Sequence, residues 1–325
     1  MKSLTLSLIL LGLLTTPLFL ITYSHASDDQ TGPDNVNGQT REDTVAEANE
    51  TVFIHSTVQN RTVENNYGLR FSSAAGISLQ MESSSTSEVH ELENPANPTL
   101  QVTYASLVEF NDTDGNGGYD PGHDATVETI NLASERYASP VVGIVESQDG
   151  KQGYMLVSPS IDGLFTVSTE TFPTTVLVNG ATFLPTTTIV GVAINTALLP
   201  KRSDHVALIT VAMAGKTPTT GSNTVTSRSG EDQQFFSWNP TGTVNEQPVP
   251  VRTSTQATQN SVTVGLSYPT SGRISQAMML GVIFGTTPIV TPIVIIGSSI
   301  AAIVLLGLLL AGGRREYSRA FGRGI

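Results

Sequence analysis

Between residues 51 and 275 the chain alternates short apolar runs with clusters of turn residues. Val52-Phe53-Ile54 opens the first run. Gly76–Met81, Leu100–Phe110, Ala125–Leu132, Val141–Val145 and Tyr154–Val157 follow. Leu164–Thr169, Val176–Val178, Thr188–Asn195, His205–Ala214 and Ser261–Tyr268 complete the series. Val, Ile and Thr dominate these runs. In Ser261–Tyr268 the period is plainly two, with Val262, Val264, Leu266 and Tyr268 on one face. Asp149-Gly150, Asp162-Gly163 and Asn179-Gly180 lie between runs and supply the positive φ of tight hairpin turns. No helical period emerges over the same residues. The pattern predicts an all-β domain over 51–275, an antiparallel β-sandwich of about a dozen strands.

The two ends read differently. Met1–Ala26 has a charged start at Lys2, an apolar run over Leu4–Ile21 and small residues at Ser24 and Ala26. These are the parts of a secretory signal peptide, with a cut after Ala26. No charged residue occurs from Ser275 to Gly313. Within that stretch Thr291-Pro292 reads as an N-cap followed by a first-turn proline. The 20 residues Pro292–Ala311 suffice for a helix of about 30 Å, the thickness of a bilayer's hydrocarbon core. The sequence thus predicts a juxtamembrane segment at 276–290, a C-terminal transmembrane helix at 291–311 and a basic tail at 312–325.

Charge fixes the expected direction. The chain has 28 acidic and 16 basic residues, a net −12. The tail holds Arg314, Arg315, Arg319 and Arg323 against Glu316, while residues 27–311 carry a net −16. Arginines just past a span favour the cytoplasmic side. The expected topology is a single-pass protein of the cell membrane, with the N-terminal domain extracellular and the C-terminus cytoplasmic. The lipid bilayer is then a partner through the C-terminal helix. An acidic exterior excludes nucleic acid as a partner. The absence of cysteine excludes disulfides, thiol catalysis and Cys-ligated zinc. Residues 27–50 hold seven acidic residues against Arg41 and no aromatic, and read as a disordered acidic arm.

One segment carries candidate chemistry. From Asp112 to Asp124 the sequence is DTDGNGGYDPGHD. Oxygen-bearing side chains fall at loop positions 1, 3, 5 and 9 (Asp112, Asp114, Asn116, Asp120), with Gly117 at position 6 for the sharp turn. Calcium takes six to eight oxygen ligands, and alternate residues of a tight loop point inward to supply them. The Gly118 carbonyl is the expected backbone ligand. Position 12 holds His123 where a bidentate glutamate is usual, and Asp124 stands in for it. Strand-like flanks make this a calcium loop closing a β-hairpin, with a structural role.

This loop, together with Val108-Glu109-Phe110, Phe236-Ser237-Trp238, Leu266-Ser267-Tyr268-Pro269 and the C-terminal span, resembles a group of uncharacterised archaeal surface proteins. Those look like secreted β-rich ectodomains on one membrane span, with an Asp/Asn/Gly-rich loop ending Tyr-Asp-Pro-Gly-Glu-Asp. His123 departs from that pattern. The resemblance covers about residues 100–310, and it implies placement and fold without an activity.

Asn49, Asn60 and Asn111 each begin an Asn-X-Thr sequon and are candidate glycosylation sites. Ser83–Ser87 and Thr217–Ser229 read as Ser/Thr-rich loops. Trp238 reads as core packing. No serine-nucleophile elbow, zinc-protease motif or phosphate-binding loop is present. His205 reads as a strand residue and not as part of a triad. The sequence therefore points away from an enzyme. The expected role is cell-surface binding or adhesion toward a surface protein or glycan ligand, or a part in the envelope. A membrane-tethered hydrolase using the acidic loop, or a subunit of a membrane complex held through Gly297–Ala301, are the alternatives.

Overall fold

The computed structural model describes residues 40–48, 50–60, 63–87, 99–172, 176–178, 181–183, 187–201, 203–214, 217–229 and 232–283. The predicted signal peptide, transmembrane helix and basic tail lie outside the described residues. Among those residues no helix is long and apolar enough to cross a membrane.

Strands β1 (Thr40–Ala48), β2 (Thr51–Asn60), β3 (Val63–Ser72), β4 (Ser78–Ser87) and β5 (Thr99–Asn111) form a meander. β6 (Ala125–Asn131) returns along the second half of β5. β7 (Val141–Glu146), β8 (Gln152–Pro159) and β9 (Phe165–Thr171) make a second meander. β10 (Val176–Val178) and β11 (Ala181–Phe183) form a separate small hairpin. β12 (Thr187–Asn195) lies beside β9, and β13 (His205–Ala214) crosses over to lie beside β5. β14 (Thr219–Thr220), β15 (Thr224–Ser229) and β16 (Asp232–Trp238) extend the second meander's sheet. β17 (Thr241–Val244) and β18 (Gln247–Pro250) pair at its rim. β19 (Arg252–Ala257) and β20 (Ser261–Pro269) join β13, and β21 (Arg273–Ile283) inserts between β16 and β12. The two sheets therefore run β1-β2-β3-β4-β5-β13-β20-β19 and β14-β15-β16-β21-β12-β9-β8-β7. Every strand pairing is antiparallel.

The inner faces of the two sheets share one core. Val102, Tyr104 and Leu107 of β5, Val206 and Leu208 of β13, and Val264 and Leu266 of β20 come from one side. Phe165 and Val167 of β9, Val190 and Val192 of β12, and Met278 and Leu280 of β21 meet them from the other. Each such side chain contributes about 1.5–3 kcal/mol by leaving water. The Tyr104 and Phe165 rings meet across the interface with centroids 5.5 Å apart. A buried Tyr hydroxyl or Trp N–H needs an acceptor. Tyr268 Oη donates to Gln276 Oε1 at 3.0 Å and Trp238 Nε1 donates to Thr253 Oγ1 at 3.1 Å, each bond joining the two sheets. Trp238 is a core residue, 3% exposed.

The outer face of the second sheet is also covered. Phe172, Ile189, Phe235 and Met279 pack there with Val176 and Phe183 of the small hairpin. This second layer explains β9, in which all seven residues are buried. Glu170 lies on that outer face, 6% exposed, and burial pushes its carboxyl up to about 7.

Some boundaries differ from the sequence reading. β1 falls inside the segment read as a disordered arm. β4 takes in Ser83–Ser87, and β14 and β15 occupy most of Thr217–Ser229. Among the described residues the strands number 21 instead of about a dozen, because several short or polar strands lack an apolar run and are held by ladder hydrogen bonds. β21 continues to Ile283, past residue 275. It is a central strand whose apolar residues merge, in sequence, with the apolar stretch that follows.

Candidate metal centre

Residues 112–124 connect β5 to β6, and the Asn111↔Ala125 pair holds the ends of the loop together. Asp112 organises the first turn. Its Oδ1 accepts the N–H groups of Gly115 at 2.9 Å and Asn116 at 3.2 Å, and its Oδ2 accepts that of Gly117 at 2.7 Å. Gly115 and Gly117 have φ of +73° and +76°, the left-handed region that glycine enters without steric cost. Asp114 accepts from Asn116 through both oxygens, at 3.1 Å from N–H and 2.6 Å from Nδ2. Asp124, 8% exposed, closes the loop. Its Oδ1 accepts the Thr113 N–H at 3.0 Å and its Oδ2 the Asp120 N–H at 2.7 Å.

The result is a cluster. Asp112, Asp114 and Asp124 each place a carboxylate oxygen within 4.8 Å of the others. Of the six residues expected as ligands, these three converge. Asn116 turns its Oδ1 to the Gly118 N–H at 2.6 Å. Asp120 turns to His123, whose Nδ1 lies 2.8 Å from Asp120 Oδ2. Asn111 is exposed at the mouth of the loop, Asn60 ends β2, and Asn49 lies outside the described residues.

The electrostatics follow the hydrogen bonds. Partial desolvation pushes the Asp112 carboxyl up. The Gly117 N–H, a hydrogen bond with the Asp114 carboxyl and the Gly115 N–H outweigh it, so Asp112 sits below the ordinary carboxylate range. The Gly122 N–H and the His123 ring hold Asp120 low. The hydrogen bond and the charge of Asp120 in turn raise His123. Carboxylates so close repel one another when ionised. A hard divalent cation, which prefers oxygen ligands, removes that repulsion.

A supporting shell comes from distant sequence. The Asp112 N–H donates to Asp204 Oδ1 at 3.2 Å and the Tyr119 N–H to Ser267 Oγ at 2.9 Å. Glu109 is fully buried beneath the loop. Its Oε1 accepts the Lys201 N–H at 3.1 Å and its Oε2 the Ser203 hydroxyl at 3.2 Å. The Thr270 hydroxyl donates to the Ser203 carbonyl and the Thr270 N–H to the Asp204 carbonyl. Phe110 packs between the rings of Tyr119 and His205. His205 lies in β13, its Nδ1 at 3.2 Å from Asp204 Oδ1 without hydrogen-bond geometry. Spacing alone could not single out Asp204 and Ser267, since strand pairing brings them to the loop from 92 and 148 residues away.

Comparison with protein-family models and with curated proteins finds no match to this chain.

Proposed function

We propose that the protein is a membrane-anchored surface protein whose β-sandwich carries a structural calcium loop and serves binding or adhesion at the cell surface, or builds part of the envelope. One observation carries this reading. β21 starts at Arg273, beside Asn195 and the loops around the acidic cluster, and runs away from them to Ile283. A strand of about ten residues spans roughly 30 Å. The acidic loop therefore stands at the end of the sandwich opposite the one from which the chain leaves toward the apolar segment 292–311. On a bilayer anchor that end faces outward.

Asp112, Asp114 and Asp124 would hold the cation, with the remaining oxygens supplied by backbone and water. The ion offsets carboxylate repulsion and stiffens the outward loop. All the converging carboxylates come from one tight loop. Glycosidic hydrolysis instead needs two carboxyl groups flanking a bond, about 5–10 Å apart. The arrangement thus favours a binding role over catalysis.

Displaying the full chain on cells tests the reading. Calcium-dependent capture of neighbouring cells or surface proteins is expected, with loss on chelation and in Asp112→Asn. Monodisperse behaviour with no partner, with and without calcium, would rule the proposal out.

A further inference from the structure

At the other end of the sandwich lies a groove of about 770 Å³, lined by Thr217, Thr219, Thr226, Arg228, Gln233 and Asn260. Its position follows from pairing. Gln233 is the strand partner of Ile283, the last described residue. Thr219 pairs with Thr226, their hydroxyls 2.7 Å apart, and Asn260 accepts the Ala214 N–H through its carbonyl. Among the described residues the lining offers three hydroxyls, two amides and one guanidinium, and no carboxylate, in a chain of net charge −12. That chemistry suits an anion bearing hydroxyl or ester oxygens. A guanidinium recognises phosphate through paired N–H donors, and amides and hydroxyls complete the contacts.

We infer that this groove receives the phosphate headgroup of an anionic lipid in the bilayer that anchors the chain. The inference rests on the anchor reading. The eight residues 284–291 separate Ile283 from the apolar segment, and even fully extended they reach only about 30 Å. The groove is therefore held near the membrane surface, and a short tether supplies an effective ligand concentration on the order of millimolar. A single arginine with neutral donors suffices at that concentration, although the same groove would be too weak for a free ligand. Docking there also sets the tilt of the sandwich and keeps the acidic loop pointing away from the bilayer.

The test uses the full chain in nanodiscs of phosphatidylcholine, with or without phosphatidylglycerol, each containing a headgroup-nitroxide lipid. Because the chain has no cysteine, Gln259→Cys gives a unique fluorophore site beside the groove and Thr113→Cys a control at the far end. Stronger quenching at position 259 in the anionic discs is expected, with none at position 113. Arg228→Gln should raise the anionic-lipid fraction needed for half-maximal quenching about fivefold, the factor for one basic side chain at an anionic surface. Quenching at 259 that ignores lipid charge, or that Arg228→Gln leaves unchanged, overturns the inference. Alkaline carbonate extraction of the full chain reconstituted into vesicles of the same lipids separates the two ideas. Release of the chain sinks the anchor and the groove together, while retention with charge-independent quenching sinks the groove alone.

Discussion

Asp124 reaches back across the acidic loop to Thr113, its Oδ1 accepting the Thr113 N–H at 3.0 Å while its Oδ2 accepts the Asp120 N–H at 2.7 Å. One nearly buried carboxylate thus ties both halves of the loop to the start of β6. An asparagine can accept only one of these bonds and would set its own N–H₂ against the other donor. Asp124→Asn is expected to cost about 1–3 kcal/mol, the penalty of a buried donor left without a partner. Denaturant unfolding of the two proteins measures it. A difference near zero would mean that the loop closes by other means.

Calcium should act on the same network. At a concentration a hundredfold above its dissociation constant, a ligand of the folded state adds about 2.7 kcal/mol. For a domain of this size that raises the melting temperature by about 5–10 °C. Chelation should reverse the gain, and Asp112→Asn should abolish it. A melting temperature indifferent to both calcium and chelator would dispose of the structural ion.

Glu170 predicts a pH dependence of definite sign. Its carboxyl rises from 4.5 to about 7 on burial, so the folded chain prefers the acid form. Below pH 4.5 both folded and unfolded chains are protonated there and the group costs nothing. Between 4.5 and 7 the unfolded chain ionises first, and the cost grows to about 3 kcal/mol, constant above 7. Glu170→Gln should therefore leave stability unchanged near pH 4 and increase it by up to that amount near pH 8. Urea titrations at the two pH values check this, and a gain of equal size at both would contradict it.

Two glycines at positive φ should respond unequally to alanine. Gly115 has open space around its missing Cβ, whereas a Cβ on Gly76 would lie 2.7 Å from Ala133 Cα. Gly115→Ala is expected to cost about 1–2 kcal/mol, the left-handed penalty alone. Gly76→Ala adds a backbone collision and should cost about 1–3 kcal/mol more. Equal losses would show that the 132–134 turn moves freely, which its bond from Leu132 N–H to the Ala105 carbonyl argues against.

Much of this architecture is legible in the residue pattern, and the exceptions have physical causes. Val262, Val264, Leu266 and Tyr268 alternate in sequence and all reach the core, because they share the face of β20 that packs on it. β9 shows no such alternation, since a second apolar layer buries Thr166, Ser168 and Glu170 as well. β1 and Ser83–Ser87 of β4 are polar strands and carry no apolar signature at all. In the acidic loop, spacing identified the three converging aspartates, since Asx turns around Asp112 are local. It could not tell that Asp120 would prefer its neighbour His123. Nor could it bring in Asp204, which reaches Asp112 across 92 residues.

The order of strands has a consequence for how the chain comes to be folded. β5 waits for β13, β13 for β20, and β12 for β21, so the centres of the two sheets close only with β20 and β21, the last two strands among the described residues. Contacts so distant along the chain make folding slow, because loop closure must precede any reward. A nascent chain would hold these central edges open until residues 273–283 have been made. Any truncation before residue 273 therefore leaves a sheet missing its middle.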